Sequence, residues 1–174
     1  KWELEDLSFQ VLYPKVYDTF YFDGDMDRLG TGSWIPAFCA GRFNTIQCDF
    51  AALVGPEHFR RYILPDLEAE SSHLDHCIYH WDGPSSLKHM DDRMAIRGID
   101  CFQWVPGAGN APLVEWLDLL EAVQQRGKSV MVYCSAEEVP VFHKRLRPDR
   151  LFYSIGARDR EELERTVEWI MQNS

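Results

Sequence analysis

The sequence predicts an α/β protein whose strands and helices alternate, of the parallel β/α-barrel type. A short apolar run followed by an amphipathic segment recurs along most of the chain, which is the pattern of successive βα units. The strand-like runs have few alternating polar positions, as expected for a parallel sheet covered on both faces. An open doubly wound sheet is the alternative, but neither G-x-G-x-x-G nor G-x-x-x-x-G-K-[ST] is present.

The composition of the 174 residues suits one folded domain, with 45% hydrophobic and 26% charged residues. The net charge of -10 argues against binding to nucleic-acid phosphates. No run of about 18 apolar residues occurs, so no membrane span is predicted. The five cysteines are irregularly spaced and include no Cys-x-x-Cys pair. We therefore expect reduced thiols and a cytoplasmic protein.

The domain organisation expected is a single unit over residues 1–174. Residues 1–33 are predicted to form an N-terminal helix and a loop, and residues 34–174 the successive βα units. The charged start of the chain does not resemble a signal peptide. We expect the chain to begin inside a larger protein.

The individual βα elements follow from apolar runs and from residues that favour helix ends. Pro56 suits a helix start, Gly127 the position after a helix end, and Ser85, Ser86 and Ser135 suit helix caps. The predicted strands are residues 34–39, 44–49, 77–81, 99–105, 129–134 and 151–155. The predicted helices are residues 57–74 with a bend at Pro65, 85–94, 113–125, 137–146 and 160–171.

Polar and aromatic side chains concentrate where the predicted strands end. In a β/α barrel the working residues lie at the carboxyl ends of the strands, so these positions predict a site for a small-molecule substrate. Histidines on the predicted helices, among them His89 and His143, are expected to be solvated. The residues expected to line the site are Trp34, Cys48, Tyr79, Gln103, Trp104 and Asn110.

His80 and Asp82 are the strongest candidates for chemistry. Residues two apart in a strand point to the same side, so an imidazole and a carboxylate would meet there. Such a pair can hold zinc or share a proton, and Cys134 could complete a zinc set. The alternative is that Asp82 caps the next helix, that His80 fills the barrel mouth and that Cys134 is a packed thiol.

Asp49 and Cys48 form a second candidate pair at a strand end. Asp49 could act as a general base or bind a cationic substrate. Cys48 could be a nucleophile or a ligand if its pKa were lowered. The alternative is a buried small Cys48 followed by an Asp49 that caps a helix.

Three stretches resemble the uroporphyrinogen decarboxylase superfamily. They are residues 43–50 (FNTIQCDF), 79–84 (YHWDGP) and 99–110 (IDCFQWVPGAGN). The resemblance is closest to an uncharacterised bacterial branch with a His-x-Asp-Gly-Pro motif, and it covers residues 34–174. The superfamily also holds zinc methyltransferases that move methyl groups between corrinoid proteins and thiols.

The resemblance implies a (β/α)8 TIM-barrel fold in a chain about twice this length. This chain would then supply roughly the C-terminal half of the barrel, or more. It would be either a fragment or one part of a barrel that a second chain completes.

The activity implied is methyl transfer involving a corrinoid protein or a small methylated compound. In the zinc methyltransferases a His-x-Cys motif ends the matching strand, where this chain has His80 and Asp82. A later cysteine ligand belongs on the last strand, which here reads Tyr153-Ser-Ile-Gly without a thiol, and Cys134 lies one strand earlier. The implied cofactors are zinc and a corrinoid carried by a partner protein.

Two other functions remain open. A porphyrin carboxy-lyase would need several arginines at the barrel mouth to meet carboxylates, and only Arg42 and Arg158 are candidates. The decarboxylase Gly-Asn-x-Asp motif is replaced by Tyr133-Cys-Ser. The chain could also be a non-catalytic binding barrel or an incomplete fragment.

Overall fold

The computed structural model describes residues 31–35 and 37–174. The predicted N-terminal helix and most of the predicted loop therefore lie outside the described residues. Among those described, no helix is both long enough and apolar enough to span a membrane.

Five strands form one all-parallel sheet in which the order along the chain is also the order in space. A short antiparallel pair precedes this sheet, in place of the strand predicted at residues 34–39. The prediction of an α/β protein with a parallel sheet is confirmed. The strands are β1 (Thr31–Gly32), β2 (Phe38–Cys39), β3 (Phe43–Gln47), β4 (His76–Asp82), β5 (Cys101–Val105), β6 (Ser129–Ser135) and β7 (Leu151–Gly156).

Helical segments fill the connections between these strands. Several begin with 3-10 turns: Asp49–Leu53, Pro84–His89, Leu113–Trp116 and Pro148–Arg150. The α-helices are α1 (Pro56–His58), α2 (Leu64–Ser72), α3 (Met90–Ala95), α4 (Leu117–Gln125), α5 (Val139–Arg145) and α6 (Arg160–Asn173).

The helix predicted at residues 57–74 contains a π-helical turn, Phe59–Ile63, between α1 and α2. Pro65 directly follows this turn. Because proline has no backbone N–H, it cannot donate to the carbonyl four residues earlier, and the regular α-helical pattern is interrupted there. Where the sequence predicts a bend at Pro65, the structure therefore has a change from π-helix to α-helix.

The main hydrophobic core lies between the sheet and the helices. Alternate strand residues, such as Trp81, Phe102 and Val132, pack there against Leu67 and Phe142 from the helices. We call this side of the sheet the helix face. A second, smaller core lies on the other side.

The opposite side of the sheet we call the open face. Its buried residues Phe43, Ile78, Cys101 and Met131 pack against Ile35, from the segment that joins β1 and β2. A doubly wound sheet reverses its strand order and has helices on both faces. The described residues instead form a singly wound sheet, with sequential strands and one helix-covered face.

Candidate functional site

The strand register brings polar side chains into rows across the open face. In a parallel sheet, residues that are register partners on neighbouring strands point to the same side. One row contains Gln47, His80, Gln103, Met131 and Phe152. The next row toward the carboxyl ends contains the pairs Asp82 with Val105 and Tyr133 with Ser154.

His80 is held in one tautomer by Gln103. Its Nδ1 lies 2.5 Å from Oε1 of Gln103. An amide oxygen can only accept, so Nδ1 carries the hydrogen and the neutral imidazole keeps Nε2 as an acceptor. The Gln103 amide is itself oriented, because it is buried and its Nε2 donates to Sδ of Met131 at 3.6 Å. The site therefore contains a positioned proton acceptor.

Trp34 lies over His80 on the open face. The two rings meet edge to face, with centroids 5.0 Å apart and an interplanar angle of 74°. The indole N–H donates to the carbonyl of Thr45 at 3.1 Å, which fixes the ring although it is 57% exposed. Trp34 thus lies beside His80 on the open face and could form one side of a site there.

Asp82 is exposed on the same face, two residues after His80. The loop after β5 runs beside it, since a Cβ at Gly107 would lie 3.5 Å from Oδ1 of Asp82. Gly107 has a φ of +81°, which a residue with a side chain rarely adopts. Asn110 stabilises this loop by donating from Nδ2 to the carbonyl of Pro106 at 2.8 Å.

Asp49 lies at the carboxyl end of the neighbouring strand β3. It occupies the first turn of the 3-10 segment Asp49–Leu53, and its side chain is exposed. The preceding Cys48 is half-buried and packs against the core of the helix face. Asp49 thus remains a candidate for this end of the sheet, whereas the Cys48 thiol points away from the open face.

The structure does not bring Tyr79 and Trp104 to this site. Tyr79 is 1% exposed on the helix face, where its hydroxyl accepts from Nε of Arg93 at 3.1 Å. Trp104 packs edge to face on Trp81, with ring centroids 5.0 Å apart. Strand alternation explains this, because residues next to His80 and Gln103 must point to the other side.

Cys134 is also separated from His80 and Asp82. It packs in the core of the helix face, and burial raises the pKa of its thiol to about 11. Among residues 31–35 and 37–174 no group of three His, Cys, Asp or Glu side chains could hold a metal ion. The expected zinc set of His80, Asp82 and Cys134 is therefore not assembled, and the donors present do not fit zinc.

Two aromatic residues of the open face were not selected from the sequence. Tyr133 and Phe152 are both exposed, and they lie in the rows of Asp82 and His80 respectively. The alternation of side chains along β6 and β7 could have identified them in the sequence. Tyr153 packs on the helix face, so its neighbour Phe152 must lie on the open face.

The two arginines proposed for the barrel mouth are both paired with carboxylates. Arg42 precedes β3 at the amino end of the sheet, and its guanidinium pairs with Asp75 at 2.9 Å. Arg158 follows β7 and pairs with Glu162 at 2.6 Å. Among the described strand residues of the open face there is no lysine or arginine. The site therefore presents a carboxylate and rings without a cation to meet an anionic substrate.

A surface pocket of about 310 Å³ lies between α5 and α6, lined by Val139, Trp169 and charged residues. Its cations are already paired, Arg158 with Glu162 and Arg165 with Glu161. It lies among helices, and His80 and Gln103 do not line it. We therefore place the candidate site on the open face.

No family model, curated protein or solved structure matches the chain. By its fold, the described part of the chain is a singly wound parallel α/β protein. Its candidate site combines a histidine, a carboxylate and aromatic rings toward the carboxyl ends of the strands. The likeness to the uroporphyrinogen decarboxylase superfamily rests on the three motifs alone.

Proposed function

We propose that the chain forms the C-terminal half or more of a (β/α)8 barrel of the uroporphyrinogen decarboxylase superfamily. We further propose that it transfers a methyl group from a small methylated compound to a protic acceptor such as a thiol. The observation that carries this proposal is the His80–Gln103 contact, which leaves Nε2 as a proton acceptor beside Asp82. The sequential strand order with helices on one face supports the barrel.

His80 takes the acceptor's proton in this mechanism. A thiol is a weak nucleophile and its thiolate a strong one, so removal of the proton by Nε2 accelerates attack on the methyl carbon. Oε1 of Gln103 continues to accept from Nδ1 and stabilises the imidazolium that forms. Trp34 excludes water from one side of the imidazole, and Asp82 orients the methylated compound.

Completion of the barrel is part of the proposal. Among the described strands of the parallel sheet, β3 and β7 each have one neighbour. An uncovered sheet edge presents unpaired backbone groups and favours pairing with further strands. We propose that additional strands, from a second chain or from a longer form of this one, pair at these edges and enclose the open face.

The resemblance implies two cofactors, zinc and a corrinoid, and the described residues bear on zinc alone. His80 and Asp82 supply two donors for zinc without a third among the described residues, so no step here uses a metal. A corrinoid protein as methyl carrier remains a proposal, and methylcobalamin serves as its probe below. A porphyrin carboxy-lyase is not supported by a specific contact, because Arg42 lies at the amino end of the sheet and Arg158 is paired with Glu162.

The test is a methyl-transfer assay on the longest natural form of the protein, purified together with any chain that binds it. The protein is incubated with a thiol and a panel of methylated donors that includes methylcobalamin, and the thioether is measured by mass spectrometry. We expect His80→Gln to lower the rate by at least about 100-fold. His58→Gln, at an exposed histidine of α1, is the matched control and should leave the rate unchanged. Absence of thioether with every donor, or full activity in His80→Gln, contradicts the proposal.

A further inference from the structure

We propose that the methyl donor is a quaternary methylammonium compound, held between aromatic rings and the Asp82 carboxylate on the open face. This inference rests on the proposed function and narrows its substrate class. It is carried by the exposed rings, by their strand positions and by the charge of the site.

Three large aromatic residues are exposed on the open face. Trp34 is 57% exposed, Tyr133 42% and Phe152 39%. Large rings exposed together on one surface mark a binding site more often than an ordinary solvent surface. The negatively charged face of an aromatic ring attracts a cation within about 6 Å of its centroid.

The strand positions of these groups suit a small cation. Asp82 lies on β4 two residues beyond His80, and Tyr133 lies on β6 two residues beyond Met131. His80 and Met131 are both register partners of Gln103 on β5. Asp82 and Tyr133 therefore lie at the carboxyl end of the open face on the two strands that flank β5, and a methylammonium group at the end of β5 would lie between them.

The charge of the site favours a cation. Asp82 is exposed, and the described strand residues of the open face include no lysine or arginine. Aromatic rings combined with a carboxylate are a composition suited to quaternary ammonium ions.

The transfer step balances in atoms and charge. The bond between the quaternary nitrogen and the methyl carbon breaks, and its electron pair stays on nitrogen as a neutral tertiary amine. The lone pair of the acceptor sulfur forms the new bond to the methyl carbon, and the sulfur proton passes to Nε2 of His80. The positive charge thus moves from the donor to His80. The neutral amine loses its attraction to the rings and to Asp82, which favours product release.

Calorimetric binding of choline to the purified chain tests this inference. The comparison ligand is the neutral analogue of choline in which carbon replaces the quaternary nitrogen, since it has the same shape without the charge. We expect choline to bind about tenfold or more tightly than the analogue. Asp82→Asn and Tyr133→Leu should each weaken choline binding several-fold. Asp149→Asn is the matched control, because Asp149 is exposed before β7 at the opposite end of the sheet.

The failure of this inference is distinguishable from failure of the proposed function. Equal binding of choline and its neutral analogue, or no binding of choline by a chain that thermal unfolding shows to be folded, overturns the quaternary donor. Methyl transfer from a neutral donor would in that case still support the proposed function.

Discussion

The helix layer and the open face each hold a histidine beside an aromatic ring, yet the two imidazoles have different partners. His89 is fully buried and stacks on Phe59 with centroids 4.2 Å apart. Its Nε2 donates to the carbonyls of Ala51 and Val54, at 3.0 and 3.1 Å. His80 is partly exposed, and its side chain has one hydrogen bond among the described residues, to the side chain of Gln103.

The difference shows that partners and exposure, more than residue type, separate a structural histidine from a reactive one. His89 connects the 3-10 segment after β3 to the one after β4, since its Nε2–H donates to backbone carbonyls of the first segment and its C-cap. Burial lowers its pKa, which keeps the ring neutral. His80 has the opposite arrangement, because a side chain fixes Nδ1 and no hydrogen bond from the described residues reaches Nε2.

The largest effect that separates the two histidines is on stability. We expect His89→Ala to lower the free energy of unfolding by about 3 kcal/mol, because it removes a buried ring and the hydrogen bonds from that ring to the carbonyls of Ala51 and Val54. His80→Ala should change it by less than about 1 kcal/mol, since the residue is partly exposed. Urea unfolding of the two variants measures this. Similar losses in both variants would contradict the division into a structural and a reactive histidine.

Gln103→Leu should affect the rate of methyl transfer. Gln103 is 1% exposed and acts through His80, so it is a positioning residue. We expect kcat to fall about tenfold with KM nearly unchanged, because the imidazole loses the acceptor that fixes its tautomer. Gln103→Glu restores an acceptor and should recover most of the rate. A loss in KM alone, or no recovery in Gln103→Glu, would show that Gln103 has another role.

The parallel α/β fold and the pair His80 and Asp82 could be predicted from the sequence. Apolar runs and helix signals give the elements, and spacing by two places both side chains on one face of β4. The same rule places Tyr79 on the opposite face of β4. The prediction that Tyr79 lines the site relied on its position near the end of the strand and left this alternation out of account. The register that pairs His80 with Gln103 depends on packing between β4 and β5 and has no local sequence signal.

Burial of polar helix residues was the other feature that the sequence did not reveal. His89 and His143 are 0% and 8% exposed, so the prediction that they are solvated is wrong. Arg93 of α3 is fully buried, with its guanidinium 5.1 Å from the rings of Phe59 and Tyr79. A histidine or arginine on a helix is usually exposed, and it becomes buried only when neighbouring elements pack over it and supply partners. Here they supply carbonyls and aromatic rings as partners.

The stability of the chain should depend on pH through His89, whose pKa is lowered by burial. Because the pKa of folded His89 lies below the unfolded value of 6.5, the unfolded chain binds the proton more readily. The contribution of neutral His89 is therefore complete above pH 6.5 and is lost as the pH falls below it. We expect the unmodified chain to lose more stability between about pH 7 and pH 5 than His89→Gln. Parallel stability curves for the two proteins would contradict a buried neutral His89.

The smallest effect concerns the amino ends of the strands, where charges are paired and no site is proposed. Asp75 accepts from the backbone N–H of Arg42 at 2.9 Å and from its guanidinium at 3.2 and 2.9 Å. The hydrogen bonds from the Arg42 side chain lower the pKa of Asp75 to about 2. Because the folded pKa is below the unfolded one, the pair stabilises the chain above about pH 4 and stops doing so as the pH falls through about 2.

Asp75→Asn should therefore lower the free energy of unfolding by about 0.5–1 kcal/mol at neutral pH, since the ion pair is largely exposed. The difference from the unmodified chain should shrink as the pH approaches 2. Arg42→Gln should reproduce the loss, and the double variant should add little to either single one, because both remove the same contact. Additive losses in the double variant would show that Arg42 and Asp75 stabilise the chain independently. Methyl transfer should be unchanged in all three variants, because this pair lies at the opposite end of the strands from His80.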